Sequence, residues 1–257
     1  MDKKYQNFFL KNGYIKIKLK QKNFNYLSKK IKQIVKLKLN TKTINLNNFH
    51  KKIKLSHLND IRLHIFKKIN ENKKFTENAY LSAEYYINKM VGSELSCSDI
   101  NLSIQQPGDD TSLLEMHTDF FSGESLFQVN LWIPFVDVKK TQSMFIINPL
   151  NSVKIVKKKK NDKKLVFNDL YKKFHKKLKW IKLKKGEAIL FSPNCLHGNV
   201  VNREINTRWS INMRFKNLYS PENMANNEKK LGSFYKTLNP KIITLLNLKY
   251  DFDEITS

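Results

Sequence analysis

The chain has 257 residues, 40% of them hydrophobic, and a net charge of +26, which is enough for one sizeable domain with its own core. Its 48 basic residues include only four arginines, Arg62, Arg203, Arg208 and Arg214; the lysines are spread over every segment instead of gathered in a stripe, so a basic nucleic-acid-binding module is the weaker reading of the charge. No stretch approaches eighteen apolar residues, no signal-peptide run follows Met1, and Cys97 and Cys195 give no disulfide framework, which argues against a spanning helix and fits a cytoplasmic protein.

Residues 5–90 read as mainly helical. Phe8 to Asn12 predicts a short helix stopped by Gly13, and Tyr14 to Ile17 a strand alternating apolar residues with lysine. Tyr26 to Leu39, Leu58 to Ile69 and Ala79 to Met90 carry helical spacing. From about residue 100 the period becomes two. Asn101, Ser103 and Gln105 alternate with Leu102 and Ile104; Gln128 and Asn130 alternate with Val129, Leu131 and Ile133; Arg208, Ser210, Asn212 and Arg214 alternate with Trp209, Ile211, Met213 and Phe215. Each of these segments has one apolar and one polar face. Between them runs a lysine-dense insert, residues 154–185. Lys157 to Lys164 is expected as an exposed loop, Phe167 to Leu178 as a helix, and Lys185-Gly186-Glu187 as a turn before a strand from Ala188 to Phe191. The tail from Pro221 to Ser257 is expected to be helical and loose. Two architectures fit: an antiparallel sheet with one wet face, or a barrel or double-sheet roll with a polar interior and helices outside. With no linker rich in Pro, Gly or Ser, one domain is expected over 1–257, with a mainly helical layer (1–95), a core (100–217) and the tail (218–257).

The polar faces carry the residues that suggest chemistry. His117 and Asp119 are two apart on an expected strand, so their side chains leave one face. Alone, this pair is the kind that chance supplies. His197, beside Gly198, completes two imidazoles and a carboxylate, which fill one face of a ferrous ion and leave positions open. Arg208 follows His197 by eleven residues, across an expected hairpin turning at 202–206. That fold-back would place Arg208 near Asn199, within about 10 Å of the metal. A guanidinium there suits the far carboxylate of a chelating diacid, and Ser210 shares its face. Arg203, beside Glu204, reads as an ordinary cross-strand ion pair. Arg214 and nearby lysines would suit a substrate phosphate or plain solubility. Cys195 would alternate onto the metal-facing side, but the triad is complete without it. His50, His57, His64 and His175 read as surface residues.

At these residues the chain resembles the 2-oxoglutarate- and Fe(II)-dependent oxygenases, in particular the phytanoyl-CoA dioxygenase-like branch; the nearest likeness is to the sporadic carbohydrate cluster oxygenases. The resemblance runs from Phe8–Tyr14 through Met116–Asp119 and Gln128–Pro134 to Leu196–Asn199 and Arg208–Phe215. It implies a mainly β fold, a double-stranded β-helix (jelly roll, cupin-like) with flanking helices. It implies His117, Asp119 and His197 as iron ligands, Arg208 as the grip on 2-oxoglutarate, and O2 as second co-substrate. Asn199 stands where related enzymes often carry a small hydroxyl residue assisting that arginine, and Gln105, Gln128 and Asn130 are pocket candidates. The implied reaction is oxidation, by hydroxylation first, of a small molecule, a sugar or anionic sugar conjugate in polysaccharide biosynthesis. Hydroxylation of another small metabolite is the alternative, and the oligomeric state stays open.

Overall fold

The computed structural model describes residues 2–161, 167–223 and 229–250. In chain order the elements begin with α1 (Lys3–Asn12), β1 (Tyr14–Lys18), α2 (Gln21–Lys38), α3 (Leu58–Asn70), α4 (Lys73–Val91), β2 (Leu95–Ser98), β3 (Asn101–Gln105) and β4 (Gln128–Pro134). They continue with β5 (Phe145–Ile146), α5 (Pro149–Asn161), α6 (Phe167–Phe174), β6 (Lys179–Trp180), β7 (Glu187–Phe191), β8 (His197–Gly198), β9 (Arg208–Asn217), β10 (Tyr235–Thr237) and α7 (Ile242–Tyr250).

The start of the chain forms as its sequence predicts. Asp2 caps α1 by accepting from the Lys4 N–H, and Gly13 ends it at φ 73° while its N–H returns to the Phe9 carbonyl. Gly13 is also required by packing: a Cβ there would lie 2.2 Å from the buried Cys195 Sγ. This contact joins the first turn to the segment before β8, and it turns Cys195 away from the metal residues. Both cysteines are free and buried, and burial pushes each thiol up to about 12, as suits inert core residues.

Two antiparallel sheets carry the architecture. The larger runs β1-β7-β4-β9-β2-β10, with β3 also paired to the first half of β9. The smaller is β6-β5-β8. Helices α2, α3 and α4 lie over the apolar face of the large sheet. There Phe24 of α2 stacks on Phe135, and Phe49 meets the edge of Trp209 on β9. The alternation in β9 sorts its residues: Trp209, Ile211, Met213 and Phe215 enter this core, and Arg208, Ser210, Asn212 and Arg214 face the other way. A second, smaller core of Met116, Phe145, Ile147, Ile155 and Leu196 lies behind the small sheet, with α5 and α6 packed on it. The polar faces of the two sheets enclose a cavity.

Three expectations change. Lys157 to Lys160 are helical, being the last turns of α5. Pro149 suits its first position, the Asn148 side chain accepts from the Asn151 N–H, Ile155 buries its inner face, and lysine is itself a good helix former. Residues 162–164 of that expected loop lie outside the described residues. The tail is not loose throughout, because β10 adds to the large sheet beside β2 and buries Tyr235 completely; residues 251–257 lie outside the described residues. The expected hairpin between His197 and Arg208 does not form. β8 pairs with β5, while Arg208 pairs with Gln105 of β3, so the two residues lie in different sheets. The 199–207 segment crosses between them, held by Asn202, whose amide donates to the Gln105 and Asn206 carbonyls. No helix of the described residues is long and apolar enough to cross a membrane.

Candidate metal centre

His117 and His197 are joined through their backbones. Each N–H donates to the other's carbonyl, at 3.0 and 2.9 Å, an isolated antiparallel bridge. Gly198 makes this approach feasible, since a Cβ there would meet the Leu114 carbonyl at 2.7 Å. The two rings are oriented by the same device. Nδ1 of His117 donates to the Glu115 carbonyl at 2.8 Å, and Nδ1 of His197 to the Cys195 carbonyl at 2.9 Å. A carbonyl only accepts, so both Nδ1 atoms carry the proton and both Nε2 lone pairs are free for a cation. Asp119 does not extend a strand from His117, as the sequence suggests. It sits at helical φ and ψ at the head of a 3-10 turn over Phe120–Ser122. The turn brings its carboxylate back, with Oδ1 3.7 Å from His117 Nε2 and 3.9 Å from His197 Nε2. The ligand atoms of His117, Asp119 and His197 all lie within 4.8 Å of one another, the one such group of three among the described residues. Neighbouring ligands about 2.1 Å from a metal lie roughly 3 Å apart, so the triad has the reach to close on one ion.

Behind the triad stands a buried polar network. Asp119 Oδ2 accepts from the Asn130 amide and Oδ1 from Arg214 Nη2 at 3.2 Å. Arg214 also donates through Nε to Glu124 at 2.6 Å, and Glu124 takes Lys229 at 3.2 Å on its other oxygen. Gln128 donates to both Glu124 and Asn130 and accepts from the Tyr235 hydroxyl. This places Gln128 and Asn130 behind Asp119, as supports to the ligand and not as walls of the cavity. It also corrects Arg214, which is pinned to Asp119 and Glu124 through alternate atoms. Burial alone would raise the Asp119 pKa, but the imidazoles and Arg214 outweigh it and hold the carboxyl well below the usual range. Burial would also lower His117, yet the negative charge of Asp119, 3.7 Å from its Nε2, raises it. His197 is pushed down to about 4 by complete burial and by its His117 neighbour, so it stays neutral.

The cavity in front of the triad has a volume of about 610 Å³, within the range of roughly 300–1,000 Å³ usual for small-molecule sites. Arg208 lines it, only 4% exposed. Its Nη2 donates to Ser103 Oγ at 2.9 Å and its Nη1 to the Ser143 carbonyl at 3.3 Å, while Nε has no partner. Among the described residues no acid forms an ion pair with it, and burial pushes it down to about 10 although Asp109 opposes this from a distance. Ser210 Oγ, Asn212 Oδ1 and Arg214 Nη1, on the same face of β9, are likewise buried without partners. A cluster of orphaned polar atoms around a cavity fits a polar ligand, since such groups are costly to bury unmatched. Asn199 lines the cavity but is occupied: it accepts from the Leu114 N–H and donates to the Ser112 carbonyl, clamping the 112–114 loop. Gln105 lies opposite Arg208 and gives its amide to the Val200 carbonyl, outside the cavity lining. Ser103, Glu124 and Arg62 border the cavity and were missed in the sequence; for Arg62 the scarcity of arginine was the available signal.

No protein-family model matches the chain, and neither does any curated protein. Solved structures do. The non-heme monooxygenase ThoJ in a nickel complex aligns over 97% of this chain and 95% of its own, with a TM-score of 0.56 and 10% identity. HygX from Streptomyces hygroscopicus with nickel and 2-oxoglutarate bound aligns over 86% and 89%, with a TM-score of 0.54 and 8% identity. HygX with nickel, 2-oxoglutarate and hygromycin B bound gives 0.51 and 9% over 86% and 90%. At such identities the likeness is one of fold: an antiparallel two-sheet body with flanking helices, shared with a non-heme monooxygenase and with HygX, both of which hold a metal in these structures.

Proposed function

We propose that the chain is a non-haem Fe(II)- and 2-oxoglutarate-dependent oxygenase of double-stranded β-helix type, acting on a small polar molecule of sugar-like character. The observation that carries this reading is Arg208. A guanidinium almost fully buried, without an ion-pair partner, in one cavity with a His-Asp-His triad, is a site waiting for a carboxylate. The co-substrate found in HygX is a dicarboxylate. In this reading His117, Asp119 and His197 hold the metal, Arg208 and Ser210 take the far carboxylate of 2-oxoglutarate, and Ser103 holds the guanidinium in place. When bound, iron and 2-oxoglutarate supply activation of O2, with decarboxylation to succinate and carbon dioxide, for oxidation of a substrate C–H bond. Asn130 and Arg214 fix the direction of the Asp119 carboxylate. The polar floor and the hygromycin B complex of HygX together favour a hydroxyl-rich substrate over an apolar one.

The test is anaerobic addition of Fe(II) and 2-oxoglutarate, which should produce the weak visible charge-transfer band of the chelate. A folded sample without that band, forming no succinate in air, would refute the assignment.

A further inference from the structure

In a chain with four arginines, three of them, Arg62, Arg208 and Arg214, line one cavity. Two have been accounted for. Arg214 is neutralised by Asp119 and Glu124, and Arg208 faces the place assigned to the co-substrate. Arg62 comes from a different element, α3, and lines the same cavity. Its Nη2 donates to Asn59 at 2.6 Å and its Nη1 to Ser112 Oγ at 3.3 Å. Neither partner is charged, and among the described residues no carboxylate forms an ion pair with it. Ser112 is itself fixed, because its carbonyl accepts from Asn199, two residues after His197, and its N–H donates to Asp109. The guanidinium is therefore held at the cavity by neutral hydrogen bonds, with the buried Asp109 reaching it only through Ser112.

The charge balance of the cavity says what it would take. Four cationic side chains line it, Arg62, Arg208, Arg214 and Lys229, against two carboxylates, Asp119 and Glu124. Two positive charges are left over on the lining, and one still remains when the buried Asp109 behind Thr111 and Ser112 is counted. A divalent metal and a doubly charged co-substrate cancel, so the surplus is the same in the loaded and the empty protein. A phosphate monoester carries about −1.5 to −2 at neutral pH, with three acceptor oxygens that match a guanidinium fork. Lysine serves this chain almost everywhere else, and it binds phosphate as a point charge without the fork.

We infer that Arg62 is a specificity-determining residue that binds a phosphate group on the substrate, so that the molecule oxidised is a phosphate-bearing small molecule. The substrate assignment rests on the oxygenase reading; the anion site itself does not.

Binding is read by calorimetry on protein loaded with Ni(II) and 2-oxoglutarate, with glucose 1-phosphate, UDP-glucose and the neutral methyl glucoside as probes. The first two separate a monoester from a nucleotide-linked diphosphate. At least one phosphate probe should bind about tenfold or more tighter than the glucoside. Arg62→Met should remove that preference and Arg62→Lys should restore only part of it. Both variants should keep the Fe(II)–2-oxoglutarate band, which depends on Arg208. Phosphate probes that bind no tighter than the glucoside, or as tightly to Arg62→Met as to the unaltered protein, would overturn the inference. If the unaltered protein shows no chelate band, the oxygenase reading fails. The same three probes on the metal-free chain then decide the anion site alone.

Discussion

Arg208→Met separates a co-substrate grip from a structural arginine, because the two roles predict different combinations of melting and binding. Without ligand, the guanidinium is a buried cation lacking an ion pair, and replacing such charge by an apolar side chain of similar length is worth about 0–4 kcal/mol to stability. Against this stand its two hydrogen bonds, to Ser103 and the Ser143 carbonyl, at about 1 kcal/mol each. The net effect lies between a loss of about 2 and a gain of about 2 kcal/mol, so at roughly 2–4 °C per kcal/mol Tm should fall by no more than about 8 °C. Co-substrate binding should suffer far more. Removing one partner of a buried, hydrogen-bonded charge pair costs about 2–5 kcal/mol, a loss of affinity of roughly thirty-fold to several thousand-fold. The assays are thermal melts of the metal-loaded protein with and without 2-oxoglutarate, and calorimetric titration of 2-oxoglutarate itself. A variant that melts well below this bound and binds 2-oxoglutarate as before would show that Arg208 holds the two sheets together and grips nothing.

Asp119→Ala and His117→Ala should each abolish the rise in Tm that Ni(II) gives, while far-ultraviolet circular dichroism stays unchanged; a persisting rise would place the metal elsewhere. The pH dependence follows from the raised His117 pKa. In the metal-free chain the His117–Asp119 contact adds stability that is fully present below the unfolded value of about 6.5 and is lost as pH rises through the folded value. A cation needs His117 unprotonated, so metal binding runs the other way, and the nickel-induced rise in Tm should grow between about pH 5.5 and pH 8; a rise larger on the acid side would contradict this order. Gly13→Ala forces a Cβ to 2.2 Å from Cys195 Sγ at φ 73°. Backbone strain and overpacking together should cost about 2–5 kcal/mol in urea unfolding, and a cost under about 1 kcal/mol would mean that the first turn is not held by this contact.

Local rules were enough wherever local forces decide. The helix–Gly13–strand opening, the helices with apolar stripes and the alternation of β9 were all legible, and the last sorted Arg208, Ser210 and Arg214 onto one polar face. What failed depended on turn geometry or on distant partners. Asp119 joins the triad through a 3-10 turn, a geometry that two-residue spacing does not distinguish from a strand. His197 and Arg208 share a cavity, but from facing sheets, because β8 finds β5 and β9 finds β3. Lys157 to Lys160 show that a charge run marks solvent and not loop. Glu124 had no signal at all, since its role depends on Arg214, ninety residues away.

Tyr235, bonded to Gln128 and through it to Asn130 and Asp119, has a consequence for how the protein is made. A chain grows from its N-terminus at about 5–20 residues per second. The three metal-binding side chains all exist once His197 has been added, but the strand carrying Tyr235 follows roughly 2–8 s later. During that interval Asp119 lacks the far end of the relay that aims it. Gathering the ligands and aligning them are therefore separate events on the ribosome, and the second waits for nearly the whole chain.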